Sequence, residues 1–199
     1  MIWLIGSRGM LGSDIEIELR NRNLDYIATD IDVDITDAAQ VRDFLDKNRP
    51  INWIINAAAY TDVDKAETLS NKAFALNAEA VKNIAEAVKD NDVKVIHFST
   101  DYVFDGRADT PYKETDTPAP VSVYGKSKLE GEQHIKNILN QYFIFRISWL
   151  YGPNGKNFVN TMLRLFRERD SLNVVNDQIG APTYTKYLAS NIVGLIARD

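Results

Sequence analysis

The chain contains no cysteine, which removes disulfide staples, thiolate nucleophiles and Cys-ligated zinc from its chemistry. It has only two histidines, His97 and His134, too few for a histidine-rich metal centre. Lysine and arginine number 23 against 28 aspartates and glutamates, a formal charge of −5. No basic excess is left to displace counterions from nucleic acid, and no lysine/arginine block marks an anionic membrane patch. Long hydrophobic runs are also missing: none approaches the ~20 residues needed to cross a bilayer. The opening "MIWLIGSRGM" is too short for the apolar segment and cleavage site of a signal peptide. The expectation is a cytoplasmic protein with neither nucleic acid nor membrane as a partner.

What is present is ordinary globular composition, 45% hydrophobic and 26% charged over 199 residues, enough to bury one substantial core. Apolar runs at 2–6, 25–30, 52–58, 93–100, 142–148 and 172–175 read as buried parallel strands. Between them, 10–22, 37–48, about 70–90, 124–139, 157–169 and 184–197 carry apolar residues at helical spacing. This alternation predicts an α/β fold, a Rossmann-like doubly wound parallel sheet. Ligands of such sheets sit beyond the carboxyl ends of the strands, so the residues just after each strand are the candidates. The one long irregular segment, about 101–121, contains Pro111, Pro118 and Pro120, which argue against a hidden helix.

"GSRGMLG" places Gly6, Gly9 and Gly12 between the first strand and the first helix. Gly6 permits a tight turn, Gly9 lets backbone approach a pyrophosphate at a helix N-terminus, and Gly12 allows close packing. The spacing predicts dinucleotide binding. Asp30, at the end of the second strand, fits a hydrogen bond to an adenosine ribose and favours NADH. Arg8 points the other way, since a guanidinium at that turn pairs with a 2′-phosphate or is simply solvated. NADH and NADPH both stay open.

In "VYGKSKLEGE", Tyr124 and Lys128 are four residues apart and share one helix face. An ammonium beside a phenol favours the phenolate and brings proton transfer within range. Ser99 and Thr100 place hydroxyls at the end of the fourth strand, where a carbonyl could be held. The small residues Ala57, Ala58 and Ala59 leave room for a cofactor after the third.

The motifs "NAAAYTDVDKAE", "STDYVFDG", "VYGKSKLEGE", "FRISWLYG", "NFVNTMLRL" and "NDQIGAPT" occur in one order along nearly the whole chain. By them the sequence resembles the extended short-chain dehydrogenase/reductases, and within these the dTDP-4-dehydrorhamnose reductase family. The resemblance implies Thr100, Tyr124 and Lys128 as the catalytic trio. Around the cofactor it implies Gly9, Met10, Leu11, Asp30, Asp34 and Ile35, followed by Ala59, Tyr60, Thr61 and Phe98, beside Gly6, Arg8 and Gly12 of the turn. Thr100, Asp101 and Trp149 would meet the sugar nucleotide; Asp101 equally suits a loop cap, and Trp149 a core or interface position. The implied reaction is NAD(P)H-dependent reduction of the C4 ketone of dTDP-4-dehydro-L-rhamnose, with Tyr124 as acid.

Residues 1–148 are expected to form the dinucleotide-binding domain and 149–199 a partial substrate lobe interleaved with it. Members of the family continue well beyond "NDQIGAPT", so most of that lobe is expected to lie outside these residues. A homodimer is implied by resemblance alone. The alternative is a non-catalytic dinucleotide-binding protein of the same fold, resembling the methionine adenosyltransferase regulatory subunit. His97 reads as a hydrogen-bonded structural residue and His134 as solvated. Asp62, Asp64 and Glu67 suit ion pairing and a helix start as well as a cation. No metal is assigned.

Overall fold

The computed structural model describes residues 1–198. Its main sheet contains β1 (Ile2–Ile5), β2 (Tyr26–Thr29), β3 (Trp53–Asn56), β4 (Lys94–Thr100) and β5 (Tyr142–Ile147), all parallel, in the order β2-β1-β3-β4-β5. The strands are joined by α1 (Met10–Asn21), α2 (Ala38–Lys47), α3 (Val63–Ala66), α4 (Ser70–Phe74), α5 (Ala80–Val88) and α6 (Val123–Ile138). Beyond β5 come β6 (Leu150–Tyr151), α7 (Phe158–Glu168), β7 (Thr183–Tyr184) and α8 (Thr185–Ile196). Because β2 and β3 flank β1 on opposite sides, the chain reverses direction across the sheet there, and a crevice opens between the ends of β1 and β3.

The central strands β1 and β3 are buried and apolar on both faces because helices cover both sides of the sheet. On β1, Trp3 and Ile5 point into a core with Val41, Leu45, Val81 and Ile84 of α2 and α5. Ile2 and Leu4 point the opposite way, into a core with Leu11, Ile15 and Leu19 of α1 and Ile192, Val193 and Ile196 of α8. Burial of each such side chain stabilises the fold by roughly 1.5–3 kcal/mol. Trp3 is wholly buried and satisfies its indole by donating from Nε1 to Thr29 Oγ1 at 2.8 Å.

Three local readings change. Residues 172–175 form no strand: Val174 and Val175 are 52% and 68% exposed, and no ladder partner lies beside them among the described residues. The apolar run alone could not make a strand without a sheet edge to pair with. The helical stretch at 70–90 is interrupted by a π-helical turn at Ala75–Glu79, which carries buried Asn77. Tyr184, expected in the last helix, instead belongs to β7, which pairs in parallel with β6 as a separate small ribbon.

Candidate active site

The glycine turn is built by close approach. Gly6 has φ +78°, and a Cβ there would lie 2.6 Å from Ala58 N, so the turn packs directly on the backbone after β3. A Cβ on Gly12 would run into the Gly6 carbonyl oxygen. Gly9 is exposed, has ordinary φ of −70°, and caps α1 with no side-chain hydrogen bond, which leaves the first helical N–H groups available. Asp30 ties this turn to β2, as Oδ2 accepts from Arg8 N at 3.0 Å and Oδ1 accepts from Ile31 N at 3.0 Å. Arg8 itself is exposed. Turn, helix start and carboxylate thus form a cradle that suits a dinucleotide.

The other residues singled out in the sequence are distributed as follows. Leu11 is buried in the α1 core, and Met10 packs beside Gly155. Asp34 is exposed and folds back on its own turn, accepting from Thr36 N and Oγ1 at 2.9 and 2.7 Å. Ile35 is 4% exposed, so its side chain serves the core. Tyr60 is pinned through its backbone: its N–H donates to Asn77 Oδ1 at 2.8 Å and its carbonyl accepts from Asn77 Nδ2 at 3.0 Å. Ala59 is half-buried and Thr61 exposed on either side of it.

Asn77 also donates to Ser127 Oγ at 3.0 Å, linking the β3 loop to α6. The loop after β3 reaches α6 a second way, as Glu67 Oε1 accepts from Val123 N at 2.8 Å while Ser122 Oγ accepts from Gly125 N at 3.0 Å. Asp62 caps α3 and pairs with Lys65 Nζ at 2.6 Å. Ion pairing and helix starts therefore account for Asp62 and Glu67.

Helix α6 meets the end of β4 through Gly125, where a Cβ would strike the Tyr102 carbonyl oxygen. This contact seats the short 3₁₀ turn Asp101–Val103 on the helix and stacks Tyr102 edge-on to Tyr124, ring centroids 5.7 Å apart. Thr100 is 5% exposed, and its hydroxyl lowers the Tyr124 phenol against the effect of burial. It also accepts from Tyr102 N at 3.2 Å and bonds Asp101 Oδ1 at 3.0 Å. Burial raises the Asp101 carboxyl above its ordinary range.

One turn further along α6, Lys128 is 2% exposed and donates from Nζ to the Phe98 carbonyl at 2.5 Å. Thr100, Tyr124, Lys128 and Phe98 therefore share one corner. The electrostatics differ from the sequence reading: burial lifts the Tyr124 phenol to about 12, and the opposing Thr100 hydroxyl does not bring it back. Burial lowers Lys128 to about 8, with the Glu132 charge opposing that shift.

Behind this corner, Glu132 is 0% exposed and bidentate with Arg146 of β5, Nε to Oε1 at 2.9 Å and Nη2 to Oε2 at 2.7 Å. Arg146 in turn lies 5.0 Å over the Phe104 ring, which stacks on Tyr112 at 4.3 Å. Asn77, Gly125, Glu132 and Arg146 were not singled out in the sequence. A glycine and a carboxylate within a helix gave the only local sign of special packing.

His97 is fully buried and its Nδ1 lies 3.3 Å from Asn56 Nδ2, as a structural histidine should; burial holds it neutral, well below its ordinary pKa. His134 departs from the solvated reading, because its Nε2 is buried, 3.7 Å from Glu130 Oε1. Trp149 is 44% exposed at φ +45° and its ring packs on Gly180, so it stands at the end of β5 outside the core. A groove of about 440 Å³ lined by Arg42, Asp46, Arg49 and Asn91 shares none of the site residues, since it lies before β3 and β4 at the opposite sheet end. Among the described residues no helix is long and apolar enough to cross a membrane.

Comparison with known proteins fits this geometry. A dTDP-4-dehydrorhamnose reductase of Shigella flexneri is 45% identical over 192 residues, covering 94% of this chain and 64% of its own length. The crystal structure of the Clostridium acetobutylicum dTDP-4-dehydrorhamnose reductase superposes with TM-score 0.94 at 42% identity, covering 99% of this chain and 70% of that one. The Bacillus anthracis dTDP-4-dehydrorhamnose reductase, solved in complex with NADP, gives TM-score 0.94 at 43% identity over 98% of this chain and 70% of that one. The chain thus spans about two thirds of the length of these relatives. With residues 1–199 matching the family described as the RmlD substrate binding domain, the chain belongs to that family.

Proposed function

We propose that this chain carries the dinucleotide site and the proton-transfer machinery of an NAD(P)H-dependent dTDP-4-dehydrorhamnose reductase. The observation that carries this reading is the meeting of Thr100, Tyr124 and Lys128 where β4 ends against α6. The cofactor supplies the hydride that reduces the sugar C4 ketone to an alcohol. Tyr124 holds a proton throughout the neutral range and gives it to the oxygen that becomes an alkoxide, a stronger base than phenolate. Thr100 turns its hydroxyl from Asp101 to the same oxygen, stabilising charge as it grows there. Lys128, charged below about pH 8 and held on the Phe98 carbonyl one helical turn from Tyr124, supplies positive potential.

The cradle of Gly6, Gly9, Gly12 and Asp30 would hold the dinucleotide. Residues 149–183 would form the root of the sugar-binding lobe, with Asp101 and Trp149 at its edge, while α8 returns to pack on α1. The names of the relatives favour catalysis over the non-catalytic alternative. A cytoplasmic homodimer completes the proposal, and sedimentation tests its second half.

The decisive experiment titrates NADH and NADPH into the protein and follows their oxidation with dTDP-4-dehydrorhamnose. Binding with turnover supports the whole reading; binding without turnover confines it to the dinucleotide half. Failure to bind either cofactor overturns it. Asp30→Ala is expected to raise the NADPH-to-NADH affinity ratio by roughly tenfold, the scale of one charge-assisted hydrogen bond to a ribose hydroxyl. An unmoved ratio removes Asp30 from the ribose.

A further inference from the structure

Tyr124, Lys128 and Glu132 follow one another at four-residue intervals, so they line one face of α6. The third is the most deeply buried carboxylate of that face, and nothing in the proton transfer uses it. Its oxygens are taken by Arg146 of β5 and by Lys136 Nζ at 2.9 Å. Arg146 extends the contact to Phe104 and Tyr112, in the segment that leaves the site after Thr100. One carboxylate thus joins the helix that carries Tyr124, the edge strand and the segment following Thr100.

We propose that Glu132 is a positioning residue of this site: its buried carboxylate locks α6 to β5 through its bidentate pair with Arg146 and stands one helical turn from Lys128 as that lysine's counter-charge. The idea rests on the reading of Lys128 as part of the site. The surroundings of Lys128 support it. His97 of β4 is buried and neutral and offers no counter-charge. Asp101, beyond the end of β4, is engaged with Thr100, and Glu67 is engaged at the start of α6. Glu79, on the π-helical turn packed against α6, faces Lys82, Glu130 and His134. Arg146, the charged neighbour on β5, is bound by Glu132 itself. Glu132, 0% exposed and one turn from the 2% exposed Lys128 on the same face of α6, is left as the charge that favours the Lys128 ammonium against the cost of burying it.

The test follows the Lys128 side chain directly, by NMR titration of lysine-labelled protein with the signal assigned through its loss in K128M. The wild-type midpoint is expected at about pH 8. In E132Q, which keeps the shape and removes the charge, the midpoint should fall by about one pH unit or more, and E132D should restore most of it. E132Q leaves the Arg146 guanidinium unpaired, so E132Q/R146M is measured as well; it removes both charges, and its midpoint should also fall. A merely structural Glu132 would lower the melting temperature in these variants and leave the midpoint in place. An unmoved midpoint in E132Q, or in E132Q/R146M should the single variant not fold, overturns the proposal. The readout needs no turnover, so absence of reductase activity would sink the functional reading and leave this result standing.

Discussion

Tyr124→Phe is expected to lower turnover of dTDP-4-dehydrorhamnose by ~100-fold or more while leaving dinucleotide affinity nearly intact, the usual scale for loss of a general acid. The substitution removes one oxygen and keeps the ring that stacks against Tyr102, so the fold around it should survive. The pH dependence makes the assignment sharper. Burial puts the Tyr124 phenol at about 12, so it stays protonated across the working range and contributes no limb there. Lys128 titrates at about 8, below its ordinary 10.5, and is charged only below that pH. Turnover should therefore fall as pH rises through about 8, and the residual activity of Tyr124→Phe should fall over the same range. Full activity in this variant would remove Tyr124 from the reaction, and an alkaline limb that vanished with the phenol would assign that limb to Tyr124 instead of Lys128.

The same depressed lysine has a consequence for stability. Between about pH 8 and 10.5 the unfolded chain holds a proton on Lys128 that the folded chain has released, so this residue's contribution rises with pH through that window. Below pH 8 the fold carries a buried ammonium, which Glu132 and the Phe98 carbonyl make tolerable.

What was legible in the sequence was whatever periodicity or glycine spacing writes locally. Five of the six strand runs are strands, because a buried parallel strand must be apolar on both faces and β1, β3 and β4 are so throughout most of their length. The run at 172–175 has the same composition, but a strand needs a partner, and composition does not show one. The four-residue spacing of Tyr124 and Lys128 survives folding because a helix makes it a shared face. Their pKa values were not legible: an ammonium one turn away suggests a lowered phenol, whereas burial, which depends on what 95–104 brings alongside, raises it. Asn77 and Arg146 act across 50 and 14 residues of sequence, to Ser127 and Glu132, and no local pattern announces such contacts.

The larger structural effect is expected at the glycine turn, where two neighbouring glycines should behave differently. A Cβ on Gly12 would overlap the Gly6 carbonyl oxygen and lie 2.8 and 2.9 Å from Gly6 C and Ser7 Cα, all of them backbone atoms that cannot swing aside. Gly12→Ala must therefore push α1 from the turn, at a cost of ~1–3 kcal/mol, the range for overpacking a close contact. Its melting temperature should fall by several degrees, roughly 2–4 °C per kcal/mol for a chain of this size. Because the displaced turn is also the dinucleotide cradle, NADPH affinity should fall by ~10- to 100-fold with it. Gly9→Ala is the contrasting case: its φ of −70° suits any residue, and the nearest atom to a Cβ is the Gly6 carbonyl oxygen at 3.2 Å. It should fold almost as the wild type does and still lose affinity, because the added methyl group stands where a pyrophosphate approaches the start of α1. Calorimetry and cofactor titration on the two variants separate the roles. Gly12→Ala with unchanged melting and affinity would show that the turn tolerates the methyl group, whereas Gly9→Ala with wild-type affinity would move the pyrophosphate away from that helix start.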